Sequence, residues 1–263
     1  MKPPPFRYER PGSVDEVVAL LEEHGDEAKV LAGGQSLVPV LNIRLLRPSV
    51  LVDVNRVDGL DRRDGGTVGA TVRQRAFHGN ALVDRAMPYV GHYVTRNRGT
   101  VGGSIAHADA SAELPLCLVT LGGSIRSSKG RELAAEEFFV SHYTTQLGHD
   151  ELLTETVWPD AGRCGFEEVA LRHGDFALAA AACVADVANG TITRARVSVA
   201  AVVDRPSLLD LQLDGAPATA ETAREAGARA ATLVDPPGNL HASAAYLRHL
   251  TGVVVTRALE QAL

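Results

Sequence analysis

The 263-residue chain is short of cysteine, of aromatic side chains and of positive charge. Its three cysteines, Cys117, Cys164 and Cys183, stand far apart and form no C-x-x-C pair. That excludes a disulfide framework and the several thiolates an iron–sulfur cluster needs. Free cysteine is usually a small buried residue, so core positions in a reducing compartment are the expectation. Against 32 Asp and Glu there are 26 Lys and Arg, a net charge of −6 with no basic stripe, which argues against a nucleic-acid partner. No apolar run approaches the roughly 18 residues that cross a bilayer. The start, Met1-Lys2-Pro3-Pro4-Pro5, lacks the apolar core of a secretory signal. A cytoplasmic protein without a membrane span is therefore expected. The histidines form no H-E-x-x-H and no zinc-spaced Cys/His cluster, so no metal site is expected. G-x-S-x-G is missing, which removes the simplest hydrolase reading. G-x-G-x-x-G and G-x-x-x-x-G-K-[ST] are missing too, which disfavours a Rossmann domain and a P-loop.

What is present is an ordinary globular composition, 45% apolar and 22% charged, in a chain long enough for one large domain or two to three small ones. Ser13-Val14-Asp15-Glu16 reads as a capping box. Val14, Val17, Val18 and Leu21 follow at helical spacing, and Gly25 stops the helix. Strands are expected at Lys29–Leu31, Val50–Val54, Thr67–Val72, Ser124–Ser127 and Leu152–Trp158. Helices are expected from Gln74 to about Arg85 and from Ser111 to Leu121, with Pro115 near the start of the second. Pro159, Gly162 and Gly165 mark a boundary. Beyond it the chain turns rich in alanine and valine. Ala179–Val187 and Ile192–Val203 pair as strands around Asn189-Gly190, a strong hairpin signal. Two helices, near Ala220–Ala231 and Ser243–Ala262, close the chain.

Two glycine-rich segments carry the functional signal. Lys29-Val30-Leu31-Ala32-Gly33-Gly34-Gln35-Ser36-Leu37 is the first, and Thr100-Val101-Gly102-Gly103-Ser104-Ile105-Ala106-His107-Ala108-Asp109 the second. Glycine permits positive φ and close approach of a ligand. Consecutive amides in such turns can bind phosphate. Either segment alone can be a plain turn; two alike suggest two lips on one pyrophosphate. Glu113 can hold ribose hydroxyls, or can be a helix N-terminal acid favoured by the dipole. His107 can contact a ligand or be structural. The stretch Leu171–Ala177 is a turn, or faces a cleft between domains.

These motifs identify a resemblance to the FAD-binding medium subunit of the molybdenum hydroxylases, the carbon monoxide dehydrogenase flavoprotein and xanthine dehydrogenase family. It runs nearly end to end: Pro5-Phe6-Arg7-Tyr8-Glu9-Arg10-Pro11, the first glycine segment, Arg44–Pro48, Arg96–Ser104, Glu113-Leu114-Pro115, Arg172–Ala177 and His241–Tyr246. The resemblance implies an α+β fold. A two-part PCMH-type, vanillyl-alcohol-oxidase-like FAD domain occupies 1–163, its parts being about 1–57 and 58–163. A smaller sheet-and-helix domain follows over 164–263. It implies non-covalent FAD, held by Lys29, Ala32, Gly33, Gly34, Gln35, Ser36, Leu37, Thr100, Gly102, Gly103, Ser104, Asp109 and Glu113, with Asp175 near the flavin ring. No catalytic side chain is implied. Electrons would arrive from 2Fe-2S clusters on a small subunit, fed by a molybdopterin large subunit, and leave to an external acceptor. Ala110 and Leu247 depart from the family's common proline and arginine. A stand-alone flavin oxidase or dehydrogenase acting on a small organic substrate is the alternative.

Overall fold

The computed structural model describes residues 2–263. The first region contains β1 (Arg7–Glu9), α1 (Val14–His24), β2 (Ala28–Leu31), α2 (Leu37–Asn42) and β3 (Val50–Asp53). β3 lies between β1 and β2 and runs parallel to both. A central parallel strand is covered on both faces, which is why Val50–Asp53 is buried throughout. The capping box forms: the Ser13 hydroxyl accepts from the Glu16 N–H at 3.2 Å, and the Glu16 carboxylate from the Gly12 N–H at 2.7 Å. Val17 and Leu21 then pack on Val50 and Val52. β1 and α2, at three and six residues, are too short to show a hydrophobic period.

The second region runs through β4 (Arg63–Asp64), β5 (Thr67–Gly69), α3 (Ala81–Ala86), α4 (Tyr93–Arg98), α5 (Val101–His107) and α6 (Glu113–Leu121). It continues with β6 (Ser124–Ser127), β7 (Glu132–Ala134), α7 (Ala135–Phe138), β8 (Phe139–Ser141), β9 (Thr144–Thr145) and β10 (Leu153–Val157). β4, β5, β10, β6 and β7 form one antiparallel sheet in that order, and β8 and β9 pair separately. α6 is buried at every position from Leu114 to Leu121, as its largely apolar sequence demands, and its one hydroxyl, on Thr120, donates to the Leu116 carbonyl at 2.8 Å. The helix expected over Gln74–Arg85 divides. A single 3-10 turn spans Gln74–Ala76, Gly79 takes φ +94, and Asn80 restarts the chain as α3 by accepting from the Leu82 N–H at 3.2 Å.

The third region is β11 (Arg163–Ala170), β12 (Ala177–Ala188), β13 (Thr191–Ala200), β14 (Ser207–Leu208), α8 (Ala220–Leu233) and α9 (Ala244–Ala262). The strands form an antiparallel meander. Asn189 and Gly190 turn β12 into β13 with φ values of 52 and 74. This sheet is sandwiched. Phe166, Ala180, Ala182 and Ala200 join the core of the second region, whereas Ala179, Ala181, Val197 and Val199 pack under α8 and α9. Burial on both faces explains the continuous apolar run of β12. All three cysteines are buried and free, as expected.

Candidate functional site

The first glycine segment leaves the end of β2 and enters α2. Lys29 lies within β2, opposite Leu51. Ala32, Gly33, Gly34, Gln35 and Ser36 form the exit turn, and Leu37 begins α2. Only Gly34 takes a positive φ, +71. Gly33 is required for another reason. A Cβ there would stand 2.5 Å from the Arg98 carbonyl oxygen and 2.8 Å from the Gly99 Cα. The segment therefore lies directly on the backbone that leads into the second glycine segment. Among the described residues, the N–H groups of Gly33, Gly34, Gln35 and Ser36 have no partner within the fold. The Gln35 amide folds back onto the Gly33 carbonyl at 3.0 Å. Successive free amides in a turn are the makings of an anion nest.

The second segment is built differently. It is not a loop but the first turns of α5. The Thr100 hydroxyl caps the Gly103 N–H at 3.0 Å. Val101 donates to the Val72 carbonyl at 2.9 Å, Gly102 to Ala70 at 3.0 Å and Ser104 to Thr100 at 3.1 Å. These amides are committed to the fold, so free successive amides are found in the first segment and not at Val101–Ser104, and the second segment takes positive φ at Ala108 (+52), after its glycines. The glycines here serve packing. A Cβ on Gly102 would meet the Ala70 Cα at 2.5 Å, and one on Gly103 would meet the Thr100 hydroxyl at 2.6 Å and the Ala32 Cβ at 3.7 Å. The Ser104 hydroxyl is left without a partner in the fold and is partly exposed.

The remaining expected residues surround this meeting point unequally. The Asp109 carboxylate is buried and already engaged. Ser111 donates to it from its N–H at 2.9 Å and its hydroxyl at 2.7 Å, and the Tyr143 hydroxyl at 3.2 Å. His107 lies beside Tyr143, ring centroids 4.8 Å apart. Glu113 opens α6. Burial first, and then the charge of Asp109, push its carboxyl up to about 7, against a backbone hydrogen bond and Arg96, which pull it down. Asp175 is exposed, on a turn whose Gly174 has φ +82. A Cβ on Gly174 would stand 2.9 Å from the His92 ring, so this turn rests on the start of α4 while the glycine segments meet at its end. Tyr93 and Val94 in α4 and Phe176 beside Asp175 are 65%, 70% and 78% exposed. Sequence reasoning missed His92, Asn55 and Arg73, because nothing local marks a residue whose partner lies on another element.

Comparison with known proteins decides what the pair of segments belongs to. Residues 4–161 match the model for the FAD binding domain in molybdopterin dehydrogenase, and residues 165–262 match the CO dehydrogenase flavoprotein C-terminal domain. The chain belongs to this family. It is an FAD-binding component of an oxidoreductase. Subunit alpha of the 6-hydroxypseudooxynicotine dehydrogenase complex of Paenarthrobacter nicotinovorans is 36% identical to this flavoprotein, over 100% of this chain and 96% of that one. The carbon monoxide dehydrogenase medium chain of Hydrogenophaga pseudoflava is 31% identical over 100% and 98%. Quinoline 2-oxidoreductase from Pseudomonas putida 86 has a chain of the same fold, with a TM-score of 0.93 and 34% identity, covering 100% of this chain and 98% of that chain. Among the described residues no helix is long and apolar enough to cross a membrane, and no group of side chains could hold a metal ion.

Proposed function

We propose that the chain is the FAD-bearing medium subunit of a molybdenum hydroxylase complex, and that it relays electrons from iron–sulfur clusters to an external acceptor. The observation that carries this reading is the contact of the first glycine segment, at Gly33, with the backbone entering the second, beside a row of unpaired amides. That arrangement fits a dinucleotide pyrophosphate. The flavin, when bound, supplies the redox chemistry, and the chain binds and orients it. In this reading the Ala32–Leu37 segment receives the phosphates on the free N–H groups of Gly33, Gly34, Gln35 and Ser36, with Lys29 behind them on β2. Thr100, Gly102, Gly103 and Ser104 close the opposite side, and Ser104 offers its free hydroxyl. Glu113 takes a ribose hydroxyl, Asp109 holds the loop that presents it, and Asp175 faces the ring. The FAD domain is 1–163 and the C-terminal domain 164–263. The relatives support a heteromeric assembly, since one is a complex subunit and another a medium chain. The partners are a small subunit with 2Fe-2S clusters and a molybdopterin large subunit, in the cytoplasm, where free thiols persist.

The purified chain is expected to be yellow and to release intact FAD on acid treatment. Gly33→Val must move the Arg98 backbone, since its Cβ would stand 2.5 Å from the Arg98 carbonyl oxygen, and so must shift the first segment against the second. A loss of at least about tenfold in FAD affinity is expected, worth about 1.4 kcal/mol, with an unchanged circular dichroism spectrum. A folded variant retaining full flavin would remove the segment from the site. Co-expression with candidate cluster and molybdopterin subunits, followed by pull-down, tests the assembly. Robust substrate turnover by this chain alone would favour the stand-alone oxidase or dehydrogenase.

A further inference from the structure

The two glycine segments belong to different regions of the fold, one on the three-stranded parallel sheet and the other on the helix packed under the antiparallel sheet. Glycine contacts alone bring them close but do not hold them. One polar chain crosses the gap. The Asn55 side-chain amide donates to the Ala32 carbonyl, within the first segment, at 2.8 Å. Its carbonyl oxygen accepts from one Arg73 guanidinium nitrogen at 2.7 Å. The other guanidinium nitrogen donates to the Arg98 carbonyl at 2.5 Å. That oxygen is the same one that a Cβ on Gly33 would strike.

Both ends of the chain are anchored. Asp53 accepts from the Asn55 backbone N–H at 2.9 Å and its side-chain amide at 2.6 Å, and also from the Tyr8 hydroxyl. The Arg73 backbone bridges to Thr100, and the Gln74 N–H reaches the Gly99 carbonyl at 2.9 Å. Asparagine suits the middle position because its amide carries a donor and an acceptor on one short planar group. Arginine suits the next because its fork makes two divergent bonds at once, which a lysine ammonium on a flexible stem cannot reproduce in fixed geometry.

We propose that Asn55 and Arg73 are positioning residues for the cofactor: together they set the spacing between the two glycine segments, and so the width of the pyrophosphate cradle. Neither residue touches the free amides themselves. The inference rests on the FAD-site reading given above. Its signature is coupling, because breaking the chain at either link releases the same constraint.

The test is a double-mutant cycle on the full-length protein stripped of flavin. FAD and ADP dissociation constants would be measured by fluorescence for wild type, Asn55→Ala, Arg73→Ala and the double variant. Each single substitution is expected to weaken both ligands by about tenfold, and the double no further than the weaker single. Asn55→Asp should fail like Asn55→Ala, because it sets a carboxylate oxygen against the Ala32 carbonyl although it keeps an acceptor for Arg73. Arg73→Lys should recover only part of the loss. Melting temperatures of the flavin-free proteins separate positioning from folding, and should vary less than affinity does. Unchanged affinities would overturn the proposal. So would multiplicative losses in the double variant, or losses that track melting temperature. A wild type that binds ADP and FAD no better than Gly33→Val would instead overturn the site reading itself, and the proposal with it.

Discussion

Glu168 shows how far a fold can move one carboxyl group. Along β11 the alternation places Cys164 and Phe166 in the central core, and Glu168 follows them on that face. Glu167 points the other way and meets Arg257 of α9 at 3.0 Å. Glu168 is 9% exposed, and one of its carboxyl oxygens has no partner. Burial first, and then the charge of Glu113, push it up to about 9 from an ordinary 4.5. The folded protein thus keeps a proton that the unfolded chain gives up. The sign follows: stability is full below the ordinary pKa and falls as pH rises toward about 9, by about 1.4 kcal/mol per pH unit for this one proton. Glu168→Gln keeps the shape without the titration. Melting temperatures at about pH 5 and about pH 8 should therefore fall less for this variant than for wild type, and the two pH profiles should cross or converge at the acid end. Parallel profiles would mean that Glu168 ionises like a surface carboxylate. The alternation of β11 was not legible beforehand, since Arg163–Ala170 mixes charge, glycine and apolar residues without a clear period.

At the scale of elements, the junction of β11 and α9 depends on one missing side chain. A Cβ on Gly165 would lie 1.9 Å from the Ala258 carbonyl oxygen and 2.9 Å from the Gln261 Cβ. β11 is an edge strand, and α9 covers it. The Gln261 amide accepts from the Phe166 N–H at 3.1 Å and donates to the Phe166 carbonyl at 3.0 Å. Gly165→Ala must push the helix off the strand and stretch this pair. A destabilisation of roughly 1–3 kcal/mol is expected, or a fall in melting temperature of roughly 2–4 °C per kcal/mol. Flavin bound per folded molecule should not change, since the junction lies away from the glycine segments. Loss of flavin without loss of stability would show that the two sites are linked. Sequence reading saw in Gly165 only a boundary marker; its need for close approach depends on a helix almost a hundred residues further on, a separation measured by the Phe166–Gln261 bond.

For the whole molecule, the boundary near residue 163 separates compositions but not packing. Val101, Ile105, Leu114 and Leu118 share one core with Phe166, Ala180, Ala182 and Ala200. Polar ties cross as well. Ala201 donates to the Ala110 carbonyl at 2.8 Å, and the Arg196 guanidinium to the Val119 and Thr120 carbonyls at 2.8 Å each. Those two carbonyls end α6, where helix C-terminal acceptors need partners. A fragment of residues 1–163 would leave one wall of its core open to water. It is expected to bind the dye ANS and to lose near-ultraviolet circular dichroism while keeping secondary structure. A fragment that melts cooperatively without binding dye would show that the first two regions form a self-sufficient core.

The sequence by itself determined the segments whose information is local. The Ser13 capping box, the Asn189-Gly190 hairpin, the buried α6 and the paired β12 and β13 each carry their own periodicity or turn chemistry. The same holds for the composition break and for the two glycine segments, whose flanks carry the family resemblance. What those glycines do was decided only by the tertiary structure. Gly33, Gly102 and Gly103 avoid collisions with Arg98, Ala70 and Thr100, and only Gly34 uses the conformational freedom that glycine suggests. Tertiary structure also decided that the second segment is a capped helix with committed amides, that Glu113 and Glu168 share one buried neighbourhood, and that Asn55 and Arg73 span the gap between the segments. The physical reason is common to all of these. A close approach, a desolvated charge or a bridging hydrogen bond is a property of two surfaces, and the second surface lies far along the chain.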